Sequence, residues 1–573
     1  MKNISGFSAK AVLLTASLMV LASCNDTWND HYSYKNDSNY PVEKIDVTLK
    51  GIEGYKNFYK TLATTDMCDK YGKRYENSDG SYQSFLSLLN QDQFLTVWAP
   101  SDASIPDSVW AKYTDPNKDD ALNFEVGEQF IKTHIARFKH TIGGLDTTKV
   151  FMMNGKPVVS TPTSIAGQAY HGTDKNIRCL NGILHCLDGS IKYLPNIYEY
   201  ITTSPEYKTI LGDWYASYTL EEVDESRSVA SGIDENGEKI WIDAVMIESS
   251  VLLKRYGNIN SEDSTYAFLL PSPELWQTQF DRIKKYYVYN ELSLNNDSLQ
   301  KFYAGNAMLT DLTFNMNRKA QRYLPDSVYS TRYNSGENRR DQKPYHIFSH
   351  PFDPVTGIFG KGQCKDSIEC SNGKIYITDN WPFVDTLTFL RNIKLEAENY
   401  RNLNSLFSVY ERTVNSIGGV DLKSPVKVMR ISYSTGELSW NARFNIQGNL
   451  KGKYKIQAVI LPNQDEDNKP IRLHPSVQFN GESILDSTWI EWDYFDYGGG
   501  RDSVSQVMEY YIVNDPSKVD TLEIGVVDLP YCAYDMNTAP LSVTLSSRVN
   551  TNNVDIYTSE LWLDGIILEP VVE

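Results

Sequence analysis

Phe94 to Asp102 reads FLTVWAPSD, an apolar run that Pro100 stops before Ser101 and Asp102 hand the chain to a helix start. The same signal returns at Tyr266 to Glu274, YAFLLPSPE. Here Ser272 is the expected N-cap, Pro273 the first helical residue and Glu274 an anion in the first turn. Each copy has a companion downstream, NGILHCLD at Asn181 to Asp188 and NGKIYITD at Asn372 to Asp379. Asn-Gly before an alternating strand predicts a closing hairpin in both places. Pro100 and Pro271 are 171 residues apart, Asn181 and Asn372 191 apart, so insertions differ while the order of parts does not. That is a tandem repeat of whole domains.

Working outward, Tyr55, Phe58, Tyr59 and Leu62 take the i, i+3, i+4, i+7 spacing of a helix with one buried face. Ser204 as cap, Pro205 as first residue and Tyr207, Ile210, Leu211 and Trp214 predict its counterpart in the second copy. Glu125 to Lys139 reads as a helix by its Phe130, Ile131, His134, Ile135 and Phe138 stripe. His134 and His185 invite a metal or catalytic pairing, but no completing carboxylate is identifiable, and a satisfied core histidine is the expectation. Strand, Ala-Pro-Ser-Asp and helix, followed by Asn-Gly and a strand carrying His185 and Asp188, resemble the fasciclin-type domain. The second copy departs from it, with Leu270 before the proline and Tyr376 in the place of His185. The resemblance implies an α+β chain with two tandem fasciclin-like α/β modules, residues 48–195 and a divergent 196–388. It also implies histidines that serve structure or adhesion.

Residues 1–23 read as a signal peptide. Lys2 and Lys10 precede the short apolar run Ala11 to Ala22, too short to span a bilayer stably. The ending Leu21-Ala22-Ser23-Cys24 resembles a bacterial lipobox, which would make Cys24 the lipidated first mature residue. The alternative is an ordinary signal with Cys24 incidental. Residues 24–47 carry Asp26, Asp30, Asp37, Glu43 and Asp46 and no periodicity, as expected of a flexible tether. This acidic stretch resembles the surface-export signal of Bacteroidota lipoproteins, and the alternative is a plain solvated spacer. The expected location is therefore the outer membrane, lipid-anchored and exposed at the cell surface.

A formal charge of −18 over 573 residues argues against nucleic acid and anionic lipid headgroups as partners. Beside Cys24, Cys68, Cys179, Cys186, Cys364, Cys370 and Cys532 form no CxxC pair and no regular framework, so a metal site is not expected and disulfide stapling is not required at this size. Cys364 and Cys370 are spaced to bridge across a loop, whereas Cys179 and Cys186 read as buried thiols. Asn295 to Pro344, with Arg318, Arg322, Arg332, Arg339 and Arg340, reads as a long polar loop, either a partner surface or a mobile segment.

From residue 389 to 573 short alternating strands predict an all-β sandwich, with strands at Ile393 to Ala397, Tyr454 to Leu461, Ser476 to Phe479, Leu522 to Val527 and Leu561 to Leu568. The opening LEAENY at 395–400 and closing LWLDGIIL at 561–568 resemble jelly-roll carbohydrate-binding modules. That resemblance implies a structural calcium with Glu396, Glu398 and Asp564 as candidate ligands; a generic sandwich without a sugar site is the competing reading. The run Trp489 to Asp502, WIEWDYFDYGGGRD, reads as the most unusual loop of the chain. Trp489, Trp492, Asp493, Tyr494, Asp496 and Tyr497 are the candidate ligand-binding residues, because rings stack on sugar C–H faces while carboxylates accept from hydroxyls. A strand pair with core rings is the alternative. NQDED at 463–467 reads as an acidic turn, lacking the glycine and distal glutamate of a calcium loop.

There is no GxSxG elbow, HExxH, Walker loop or Rossmann glycine pattern. Acidic residues are too numerous for any hydrolytic pair to stand out. Triplets such as Asp107-Ser108-Val109, Asp326-Ser327-Val328 and Asp385-Thr386-Leu387 resemble Bacteroidota O-glycosylation sites and support only the compartment. The expected function is non-catalytic. It is a cell-surface lipoprotein that binds a nutrient ligand, an extracellular glycan or peptide, or docks on a SusC/SusD-type outer-membrane importer. The alternatives are an adhesion or scaffold protein using the fasciclin-like modules, and a hydrolase with an unrecognised site.

Overall fold

The structure, a computed structural model, describes residues 41–69, 71–143, 147–172, 174–223, 229–233, 239–243, 246–290, 296–317, 326–331, 346–398, 403–405, 409–417, 420–432, 439–463, 469–485, 488–497, 500–536, 538–549 and 554–572. The chain divides into two units, Met1–Leu194 and Pro195–Glu573.

In the first unit the run Leu95–Pro100 is the inner strand of a four-stranded sheet ordered Ile135–Arg137, Leu95–Pro100, Gly182–Leu187, Ile177–Cys179. The two central strands are parallel, from Leu95 opposite Gly182 to Pro100 opposite Leu187, and both are buried at all six positions. Burial on both faces explains why Leu95–Pro100 reads as a continuous apolar run. Leu95, Val97 and Ala99 face a core closed by Phe58 and Leu62 of the helix Lys56–Thr64. Trp98 faces a smaller core with Val150, Met152 and Ile165, from a second four-stranded sheet spanning Thr148 to Ala169.

The Asn-Gly pair does more than turn the chain. The Asn181 side chain is buried, donates to the carbonyls of Leu89 and Gln91 at 2.7 Å each, and accepts the N–H of Ile45 at 3.0 Å. It ties the first helix and the entry of Leu95–Pro100 to the closing hairpin. Gly182 is there because a Cβ would stand 1.9 Å from the Leu95 carbonyl oxygen. Asp102 extends the same logic, its carboxylate accepting the N–H groups of Lys56 at 3.2 Å and Asn57 at 2.8 Å at the start of the helix Lys56–Thr64.

One expectation is corrected here. Glu125 to Lys139 is not one helix: an α-turn ends at Glu125, wider and tighter turns run to His134, and Ile135–Arg137 is a strand. Ile135 lies opposite Val97 in the sheet, so pairing overrides the helical stripe.

The second unit opens with the same sheet. Its order is Thr313–Asn315, Tyr266–Pro271, Gly373–Thr378, Cys364–Cys370, again with a parallel central pair, Tyr266 opposite Gly373 to Pro271 opposite Thr378. Asn372 repeats the clamp, donating to Ile259 and Ser261 carbonyls and accepting from Ile197 N–H at 3.0 Å. A Cβ on Gly373 would meet the Tyr266 carbonyl oxygen at 1.9 Å. Ser272 caps the helix Pro273–Lys284 from the Leu275 N–H, with Pro273 at its start and Glu274 in its first turn.

Three expectations fail in this part. Ser204 closes the helix Ile197–Thr203, whose cap is Asn196 in a reciprocal box with Glu199; Tyr207 and Leu211 are nevertheless buried in the turn that follows. Residues 295–344 are not a long loop, for Asn296–Leu309 is a helix whose Tyr303, Ala304, Ala307 and Met308 are core, and Thr313–Asn315 is a sheet strand. Of its arginines, Arg318, Arg322, Arg332, Arg339 and Arg340 lie outside the described residues. Cys364 and Cys370 end one and the same strand, roughly 20 Å apart at about 3.3 Å per residue, and so cannot pair. The six described cysteines are free and buried.

The remainder is a two-sheet antiparallel sandwich. One sheet runs Val409–Ile417, Val420–Ile431, Leu561–Pro570, Gly452–Ile460, Asp520–Leu529, with Ile393–Glu396 also on Leu561–Pro570. The other runs Leu403–Ser405, Ser439–Ile446, Leu541–Arg548, Arg472–Phe479, Glu482–Leu485, with Ile512–Val513 on Arg472–Phe479. Phe444, Tyr454, Ile456, Leu473, Val543 and Leu563 fill the space between them. The sandwich joins the preceding sheet through main-chain bonds, Lys451 N–H to Tyr286 O at 2.9 Å and Cys532 N–H to Val288 O at 2.7 Å.

Candidate ligand-binding site

The aromatic and acidic run is not a loop but a β-hairpin, the strand-pair alternative, because its residues take up a continuous backbone ladder. Thr488–Tyr497 pairs along its length with Gly500–Glu509, Trp489 opposite Met508, Trp492 opposite Ser505, Asp493 opposite Val504, Tyr494 opposite Ser503, Asp496 opposite Arg501 and Tyr497 opposite Gly500. All six candidate residues therefore stand on one strand. The two strands form a sheet of their own, paired with neither sheet of the sandwich. The side chains of these residues lie outside what the structure describes.

The three carboxylates considered for calcium do meet. Ile393–Glu396 pairs with Leu561–Pro570 so that Glu396 lies opposite Gly565, and the Ala397 N–H donates to the Asp564 carbonyl at 3.0 Å. Glu398 joins them: burial first, then the negative charges of Glu396 and Asp564, hold its carboxyl above the usual glutamate range. Its Oε2 is buried without a hydrogen-bond partner. A residue the sequence reading overlooked decides the chemistry. Lys394 Nζ lies 3.0 Å from Glu396 and 3.1 Å from Asp564, where the cation of such a cluster belongs. The visible signal was the spacing of Lys394 and Glu396, which puts ammonium and carboxylate on one side of the strand Ile393–Glu396. Among the described residues no group of three His, Cys, Asp or Glu side chains is arranged to hold a metal ion. As arranged, Glu396, Glu398 and Asp564 form a lysine-centred charge cluster and do not fit a calcium cage.

His134 and His185 serve the structure. His134 Nδ1 donates to Phe130 O at 2.8 Å and its Nε2 accepts the Ile191 N–H at 3.0 Å. His185 accepts the Asn176 N–H at Nδ1 and bonds the His140 carbonyl through Nε2, while its ring stacks on Trp98 at 5.5 Å. Burial depresses both pKa values to about 4, so both rings are neutral. In the second unit Ser330 donates to Asp311, whose other oxygen is 3.1 Å from His346 Nδ1. The serine sits on the aspartate and His346 Nε2 accepts the Val384 N–H, so the base that would activate a nucleophile is already engaged. That buried trio clasps the segment before Val384 to the sheet.

Cys24 and residues 1–40, and most of the acidic turn 463–467, lie outside the described residues. No described helix is long and apolar enough to cross a membrane.

No family model matches the chain, and no curated protein matches it. Solved structures similar to it include the CBM22-1–GH10 portion of xylanase 10B from Clostridium thermocellum, at 12% identity over 32% of this chain and 28% of that one, TM-score 0.19. A family 35 carbohydrate-binding module from the same organism is 12% identical over 32% of this chain and 99% of its own, TM-score 0.18. The CBM22-1 xylan-binding domain of Paenibacillus barcinonensis Xyn10C is 12% identical over 32% and 96%, TM-score 0.18. Likenesses of this size assign no ligand to this chain, and its sandwich stands on its own strand pairing.

Proposed function

We propose that this chain is a non-catalytic lipoprotein of the bacterial outer membrane, held at the cell surface by acyl chains on Cys24, whose C-terminal sandwich binds extracellular glycan. The observation that carries the reading is the hairpin. A strand that intersperses aromatic and carboxylate residues, and among the described residues pairs only with its own return strand, brings together the two chemistries sugar recognition needs. The two copies of the four-stranded sheet are read as fasciclin-like modules. A SusC/SusD-type importer is the partner expected to receive the glycan.

Affinity electrophoresis in polysaccharide gels tests the binding. Trp492→Ala and Tyr494→Ala are expected to abolish retention while leaving the melting temperature in place, and unchanged retention removes the glycan reading. Purification of the tagged protein from gently solubilised outer membranes tests the partner. Stoichiometric recovery of a TonB-dependent porin with its lid lipoprotein supports the importer, and recovery of the protein alone removes it.

A further inference from the structure

We propose that the seam inside the second unit is a separate binding site for a small sugar bearing a carboxylate. A cavity of about 320 Å³ opens there between the helices Val251–Tyr256 and Asn296–Leu309 and the sandwich, lined by Arg255, Tyr303, Asn306, Arg391, Tyr454 and Tyr534 among others. It stands at the lower end of the ~300–1,000 Å³ that small-molecule pockets span, room for one sugar ring and not for a chain of them.

Asn306 is the reason to assign a ligand. Its side chain is 4% exposed, and neither Nδ2 nor Oδ1 has a hydrogen-bond partner in the protein. A buried amide left wholly unpaired is unfavourable, and buried polar groups in folded chains are paired almost without exception. What meets this one from the cavity must offer an acceptor and a donor side by side, as neighbouring hydroxyls on a sugar ring do.

The charge of the lining gives the second property. The chain as a whole carries −18, yet the lining contains two arginines and no aspartate or glutamate. Asp535, the carboxylate next along the chain from Tyr534, is engaged by the Tyr303 hydroxyl. A guanidinium is a planar fork matched to a carboxylate, and the lining holds two of them. The tyrosines complete the match. Tyr534 is 42% exposed, and its ring stands edge-on to Tyr303 at 5.2 Å and Tyr287 at 6.0 Å, an aromatic wall for a sugar face.

The site shares no residue with the hairpin, so the two readings are tested apart. Isothermal titration of the full chain at low salt would use D-galacturonate and D-glucuronate, with D-galactose and D-glucose beside them. One of the acids is expected to bind saturably at one site, at least about tenfold more tightly than its neutral parent. Asn306→Leu should remove that binding, Arg255→Gln should weaken it at least about tenfold, and Trp492→Ala should leave it unchanged. Absence of saturable binding by either acid overturns the proposal, as does equal affinity for the neutral sugars. Should Asn306→Leu fail to fold, Arg255→Gln decides alone: affinity retained in that variant overturns the site.

Discussion

In each unit one buried asparagine ties the closing hairpin of the sheet to the segments beside it, through three hydrogen bonds of its side chain. At about 1 kcal/mol per bond, and more where a buried partner is left unpaired, Asn181→Ala and Asn372→Ala should each cost about 3 kcal/mol. Denaturant titration of the variants checks this; a loss under about 1 kcal/mol would mean that water replaces the side chain. Gly182→Ala and Gly373→Ala should be worse, because the methyl meets a carbonyl oxygen that belongs to the central strand pair.

His134 and His185 make the first unit sensitive to acid. Their folded pKa values of about 4 lie below the usual 6.5. Above pH 6.5 both states are neutral and the full stability is present. As pH falls from 6.5 to about 4 the unfolded chain takes up protons that the folded chain refuses, so stability declines through that window and levels below it. The loss is on the order of 3 kcal/mol for each ring. Melting temperature against pH should show this slope, and His134→Gln should roughly halve it; a flat profile for the unaltered first unit would contradict the buried neutral rings.

At the scale of elements, Ile393–Glu396 is fastened to Leu561–Pro570 by its backbone ladder and by Lys394 between Glu396 and Asp564. Lys394→Gln leaves three carboxylates facing one another and should cost about 1 kcal/mol. Added calcium should leave the melting temperature of the unaltered protein where it is. A calcium-dependent rise of several degrees would show that the carboxylates rearrange into a cage. The elements also show how far local pattern carries. Leu95–Pro100 and Tyr266–Pro271 are legible because buried central strands demand unbroken apolar runs, and Ser272-Pro273-Glu274 is legible because a helix start needs a cap, a fixed φ and an anion. Ile135–Arg137 is not, since its residues suit a helix and only Leu95, Thr96 and Val97 opposite draw them into a sheet. The helix Asn296–Leu309 hides in a polar stretch because its buried face includes Gly305 and Asn306, residues that carry no hydrophobic signal.

At the scale of the molecule, main-chain bonds from Tyr286 and Val288 to Lys451 and Cys532 make residues 195–573 one structural unit. Residues 195–573 expressed alone should therefore melt in a single transition. A fragment cut at residue 388 should lose that transition, because Leu450 and Cys532 leave the core that contains Phe268 and Tyr287. Calorimetry of the two fragments decides it, and an undiminished transition in the shorter one would place a true boundary at 388.

What the sequence by itself determined is what local chemistry enforces: the repeated strand, cap and Asn-Gly signals and the alternating strands of the sandwich. These depend on neighbours a few residues away, where period and backbone freedom leave little choice. Only the tertiary structure decided the rest. The asparagine clamps join positions more than a hundred residues apart, as Asn181 does with Ile45 and Asn372 with Ile197. Lys394 became the counter-charge of Asp564 only once two distant strands paired. The seam cavity gathers Arg255, Asn306, Arg391 and Tyr534 from four stretches of chain, and its chemistry exists only where folding brings them together.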